Sequence, residues 1–503
     1  MSWSWADGGA DANASLLGGK RRGSVNEEQA APRERTMGIV PGAASMLNSV
    51  IGTGILALPI AFSRVGYVLG IVLLAVCCLL AGVSLVIIGI CSTEVGATSY
   101  GTMIERALGP RWGKLSSVIV SLHMFGACLA YSLVIATNMT DLLNDQGWVG
   151  ANQPILPGQT GDNWWSFDNR RFWIVAPAVG VVLPLVLLPN YNALRFASVT
   201  ATSSMVYLTA VIAVLGFIGA NRDGLPLWRG EADSRISSPT LPPAICCEQD
   251  DVTEDGVCTE AVEGGLYPAA VPWGQPSAVI LDTDIFSSFS TFLFAFLSHS
   301  VAPQVVAEFK EPSTPRLAQM MGTVAGTCAM IYLFVGLMGY LQFSNCVCSN
   351  ISVSYGPSGW VAVGQAFVVF SVIAGYPTNC WPGRDAVLEL VWPLCCRAGG
   401  SGQPSAPSLT VKRFVAVLFL IFASITAWFD PEFDQVLALI GAFGGSSTAF
   451  VLPSYAVSAS STPQVPVMTR SFSEILPVLA VHRSLQRGVA SAAAVHMHYP
   501  GLV

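Results

Sequence analysis

Charge is what this sequence has least of. Only 11% of its 503 residues are Asp, Glu, Lys or Arg, where a soluble domain carries about a quarter. So few charges cannot solvate the surface of a soluble chain of this size, whereas a chain dissolved in lipid needs an apolar outer face. Histidine is scarce, with five in the chain, and no Cys/His spacing of the zinc kind occurs. No metal site beyond a monovalent cation, and no organic cofactor, is expected. Basic residues form no stripe, so no nucleic-acid partner is expected. No nucleophile stands beside a base, and no His/Asp/Glu set clusters within the apolar runs, which argues against an enzyme. No cleavable leader is recognisable in residues 1–36, which are small, polar and charged (Lys20, Arg21, Arg22, Arg33, Arg35) and read as a disordered cytosolic tail.

Long apolar runs are what the sequence has in abundance. They fall at about 39–62, 66–91, 115–140, 172–190, 196–219, 285–307, 319–343, 359–382, 412–429 and 436–458, each near the roughly 20 residues that a helix needs to cross a bilayer. They predict an all-α, multi-pass membrane protein of about ten transmembrane helices, with a transmembrane domain at 37–458. Residues 459–503 read as a cytosolic tail, because their one apolar patch, Ile475 to Val481, is too short to cross. With the N-terminus in the cytosol and the runs alternating, 18 of the 24 Lys and Arg fall on the cytosolic side, as the positive-inside rule requires. The segment 220–284 becomes a long, acidic, Pro- and Gly-rich external loop. It carries Cys246, Cys247 and Cys258, and the next external loop carries Cys346 and Cys348. In an oxidising compartment these five are disulfide candidates, with the pairing open. Asn350-Ile351-Ser352 is an external glycosylation acceptor.

Two runs are interrupted at membrane depth. The first contains Asn48-Ser49-Val50-Ile51-Gly52-Thr53-Gly54 ahead of Pro59. Two glycines and several polar side chains there can unwind the helix. Unwinding bares carbonyls at the end of the first half, which suit an ammonium or a cation, and amides at the start of the second half, which suit a carboxylate. The alternative is a glycine packing face between helices. The sixth run breaks at Ser298-His299-Ser300 ahead of Pro303. His299 is either a proton relay or a histidine satisfied by one neighbouring carbonyl. Matching breaks in the first and sixth of ten helices point to a transporter of inverted-repeat type with its site between them. Candidate substrate-binding residues are therefore Ile51, Gly52, Thr53, Gly54, Ser298 and His299. Asn48, with Ser371 and Thr378 of the eighth run, is the candidate cation set.

The stretch Ser45 to Pro59 resembles the amino acid/auxin permease family, and most closely its sodium-coupled neutral amino acid transporter branch. Phe294 to His299 followed by Glu308-Phe309-Lys310-Glu311-Pro312 is similar to that family's sixth span and its exit. Pro377 to Arg384 is similar to its eighth span, and Leu439 to Pro453 to its tenth. The resemblance implies a five-plus-five inverted-repeat fold that holds an amino acid at the broken first and sixth helices, coupled to Na+ or H+. It also implies a sodium role for Asn48 and for an eighth-span hydroxyl. Gly375 stands where that branch carries threonine, which puts sodium coupling in question. The family usually has an eleventh span, which 459–503 does not supply. The expected activity is cation-coupled transport of small neutral amino acids by alternating access, in the plasma membrane or a lysosome or vacuole. An amino-acid sensor of the same fold is the rival.

Overall fold

The computed structural model describes residues 37–145, 169–188, 203–214, 276–343, 347–354, 359–395 and 407–459. The two tails and nearly all of the 220–284 loop, with Cys246, Cys247, Cys258 and Cys346, lie outside the described residues. Among the described residues everything regular is helical, apart from one parallel bridge between Met37 and Phe309.

The first apolar run forms α1 (Ile39–Val50), a 3-10 turn (Thr53–Ala57) and α2 (Leu58–Val65). Next come α3 (Tyr67–Val95), the short amphipathic α4 (Tyr100–Leu108) and α5 (Pro110–Asp145). A helix with a π-helical middle follows: α6 (Arg170–Pro177), the π turn Ala178–Val182 and α7 (Leu183–Val186). After α8 (Ser203–Val214), the sixth run is again divided, into α9 (Ile285–Ala295) and α10 (Ala302–Glu308). The rest are α11 (Thr314–Phe343), α12 (Ile351–Ser354), α13 (Gly359–Cys395) and α14 (Leu409–Trp428). The last run is α15 (Phe433–Ile440), two π turns (Gly441–Gly445 and Ser447–Val451) and α16 (Leu452–Ala459). Among the described residues six stretches are long and apolar enough to cross a membrane: Tyr67–Val95, Pro110–Leu143, Thr314–Phe343, Trp360–Pro393, Leu409–Trp428 and Phe433–Ala456. Their outward faces are apolar, with Leu79, Leu122, Met330, Phe414 and Phe422 all exposed, as contact with acyl chains requires.

Proline places both interruptions. Pro59 and Pro303 each occupy the second position of a second half-helix, α2 and α10. A proline fits there because its missing N–H is one the helix start leaves unpaired anyway. The same ring would clash with the carbonyl four residues earlier if the helix ran through, so α1 and α9 stop before it. Gly66 is required for a different reason. Its φ is +81°, and a Cβ there would lie 2.7 Å from the carbonyl oxygens of Ser277 and Ala278.

Contacts near the ends of the helices join segments far apart along the chain. At one end Met37 pairs with Glu308 and Lys310 through the backbone, and Arg413 donates to the Leu187 carbonyl. At the other end Arg64 meets Asp434 and Arg170 meets Asp430. Asn350 needs a correction. It is 4% exposed, and its Oδ1 accepts from the backbone N–H and hydroxyl of Ser352. Ser352 also reaches Asn138 of α5 at 2.7 Å. A glycan on this side chain is incompatible with that packing. The sequon was recognised from three residues alone, which do not report burial. Cys348 is disulfide-bonded, and its partner lies outside the described residues.

Candidate functional site

The two interruptions face each other. A methyl group on Gly54 would stand 3.0 Å from Cα of Ala295, so the 3-10 turn lies against the last turn of α9 with no room for a side chain. Tyr332, in the middle of the unbroken α11, reaches both broken ends. Its hydroxyl is 3.1 Å from the carbonyl oxygen of Val50, the last residue of α1. It is 2.7 Å from that of Ala295, the last residue of α9. These carbonyls belong to the set that helix termination leaves without an intrahelical N–H.

The sequence-derived residues divide as follows. Ile51 closes α1, donating its N–H to Leu47 at 2.9 Å. Gly52 is extended, with φ −133° and ψ −152°. Thr53 and Ser298 are buried, one at each interruption, and neither hydroxyl has a hydrogen-bond partner among the described residues. His299 is wholly buried, with Nε2 2.6 Å from the Ser84 hydroxyl of α3. That hydroxyl also lies 3.0 Å from the Ala81 carbonyl, and the donor in the Ser84–His299 contact depends on the imidazole tautomer. Nδ1 has no partner. Unpaired polar atoms in a buried place cost free energy. Three such atoms, on Thr53, Ser298 and His299, lie at the two interruptions. Ile51 to Gly54 thus lie at the first interruption and Ser298 and His299 at the second, and His299 is joined to α3 through the Ser84 hydroxyl and the Ala81 backbone.

The cation set is treated differently. Asn48 stands in the last turn of α1, and its side chain lies outside the described residues. Ser371 and Thr378 are both on α13. Ser371 is buried, and the Thr378 hydroxyl donates back to the Gly375 carbonyl of its own helix. Between α13 and the first interruption lies Tyr131 of α5. A Cβ on Gly375 would be 3.3 Å from its ring, and one on Gly52 would be 3.3 Å from its hydroxyl. A larger residue at 375 would therefore crowd the Tyr131 ring.

Sequence reasoning missed Tyr332, Tyr131, Ser84 and His123. His123 of α5 is buried beside Phe294, with ring centroids 6.3 Å apart, and its Nδ1 also lacks a partner. All four sit in apolar runs, where a lone polar residue gives no hint of a partner on another helix. Arg64 was read only as an external charge. Its guanidinium contacts Asp434 at 2.5 Å and donates to Ser287 at 3.3 Å, so it ties α2, α15 and α9 together above the interruptions. The contact with Asp434 is a meeting of charges without hydrogen-bond alignment.

Comparison with known proteins agrees with this architecture. The family model for transmembrane amino acid transporter proteins matches residues 35–224 and 258–482. The chain is similar to sodium-coupled neutral amino acid transporter 7 of Danio rerio, 23% identical over 86% of this chain and 81% of that protein. It is also similar to vacuolar amino acid transporter 5 of Schizosaccharomyces pombe, 22% identical over 83% of each. Among solved structures, Mhp1, a nucleobase-cation-symport-1 family transporter in a closed conformation with bromovinylhydantoin bound, has a TM-score of 0.51 at 13% identity. The match covers 92% of this chain and 94% of that one, and the likeness is one of fold.

Proposed function

The chain belongs to the transmembrane amino acid transporter family, and from that premise we propose that it carries small neutral amino acids, coupled to a cation gradient, by alternating access. One observation carries the reading: the interruptions of the first and sixth runs abut at Gly54 and Ala295, with unpartnered polar atoms on Thr53, Ser298 and His299. The substrate carboxylate meets the amides at Gly52 to Gly54, and its ammonium meets carbonyls of the two first half-helices. Charged side chains are absent from the named substrate set, which suits a net-neutral solute. The sodium-coupled and vacuolar relatives have names that speak for amino acid transport. The 18-to-6 distribution of Lys and Arg supports a cytosolic N-terminus.

Of the two coupling ions, the proton is favoured by one specific observation. Position 375 is glycine and Tyr131 occupies the adjoining space, so the eighth-span hydroxyl of the sodium-coupled pattern has no equivalent there. The test is uptake of labelled L-alanine into liposomes containing the full-length protein, with a sodium gradient and a pH gradient imposed in separate arms. Accumulation driven by the pH gradient alone is the expected result. Accumulation only with sodium overturns the proton assignment, and binding without flux in either arm overturns transport.

A further inference from the structure

We infer that Tyr332 is a positioning residue whose single hydroxyl holds the two broken helices in register for the substrate. The inference rests on the site proposed above. Three facts carry it. First, the hydroxyl is within hydrogen-bond distance of the terminal carbonyls of both first half-helices, Val50 at 3.1 Å and Ala295 at 2.7 Å. Second, the residue that holds it is itself fixed. Tyr332 is wholly buried, its ring meets Phe296 edge-on with centroids 5.1 Å apart, and α11 runs without interruption for 30 residues. Third, the two broken segments are in close contact: a Cβ on Gly54 would stand 3.0 Å from Cα of Ala295. Any slip of one end past the other would therefore close the site or open it.

The chemistry of the hydroxyl explains why tyrosine suits this place. Each interruption leaves carbonyls that water cannot reach. One O–H proton is shared between two acceptors, so the bond to each is weaker than a dedicated one. Each carbonyl oxygen also keeps a second lone pair, which stays open to a substrate ammonium. The hydroxyl thus sets where the two carbonyls stand without using up what they offer. Tyr332 acts through Val50 and Ala295 and not by touching the solute.

Tyr332→Phe keeps the ring, its edge contact and the fold, and removes only the hydroxyl. Tyr340→Phe is the control: it lies on the same helix, and its hydroxyl bonds Ser277 at the membrane end, away from the interruptions. Both variants and the wild type are compared as full-length protein in liposomes. L-alanine uptake is measured against concentration, and amide hydrogen exchange is followed across 51–57 and 296–301. For Tyr332→Phe, KM rises about tenfold with Vmax nearly kept, and exchange quickens in both segments together. Tyr340→Phe shows neither change. A lower Vmax at unchanged KM, or faster exchange in one segment or in none, overturns the inference. If the wild type carries no L-alanine, the transport reading fails. The exchange comparison then decides the role of Tyr332 by itself.

Discussion

Replacing Gly54 by alanine should weaken substrate binding while leaving the fold intact. The added methyl carbon would stand 3.0 Å from Cα of Ala295, 3.3 Å from its Cβ and 3.3 Å from Cδ1 of Phe294. Carbon atoms prefer about 3.5–4.0 Å, so each contact is short by several tenths of an ångström. The nearest atom is backbone and cannot rotate aside. The 3-10 turn or the end of α9 must retreat by roughly half an ångström, and overpacking of this kind costs about 1–3 kcal/mol. Gly54 has no positive φ, so alanine brings no backbone strain, and the whole cost falls on the spacing of the two interruptions. Spent against the substrate-bound state, that is about a 5- to 150-fold loss of affinity. The measurement is KM for L-alanine uptake in liposomes, with melting temperature and reconstitution level recorded for each variant. Gly326→Ala on α11, where nothing lies within 4 Å of the added carbon, is the matched control and should leave KM alone. A Gly54→Ala protein with wild-type KM, or a control that loses as much, would refute the reasoning.

Three further outcomes are expected. Arg64→Gln leaves Asp434, whose side chain is 3% exposed, buried without its counter-charge, at a cost of about 3 kcal/mol. Adding Asp434→Asn should restore part of it, and additive losses in melting temperature would deny the coupling. Burial raises the Asp430 carboxyl above its ordinary value, and Arg170 and Arg171 pull it only partly back. Folding therefore takes up a proton there, so its contribution is fullest below the ordinary carboxylate pKa and is lost as pH rises through the raised one. Melting temperature followed from about pH 4 to about 7 should fall more steeply for the wild type than for Asp430→Asn, and parallel curves would count against the shift. Asn350→Gln should leave electrophoretic mobility unchanged before and after glycosidase treatment, because the side chain is buried. A mobility shift lost in the variant would show that Asn350 carries a glycan.

The membrane class, both interruptions and the long apolar helices among the described residues were legible in the sequence alone. Lipid solvation leaves a mark in composition, crossing a bilayer leaves one in run length, and Pro59 and Pro303 beside runs of glycine or polar residues disfavour continuous helices for reasons local to a few residues. Each of these is a property of a short stretch of chain, so it can be read without knowing what lies beside it. What only the tertiary structure decided is who stands next to whom. The Tyr332 hydroxyl meets carbonyls far from it along the chain, Ser84 meets His299, and Tyr131 packs close to Gly375. The burial of Asn350 belongs with these, since a sequon looks the same in a loop and in a packed core. Partners on other helices leave no periodic trace in an apolar run. Hydrogen bonds between helices depend on their packing, and packing is a property of the whole bundle.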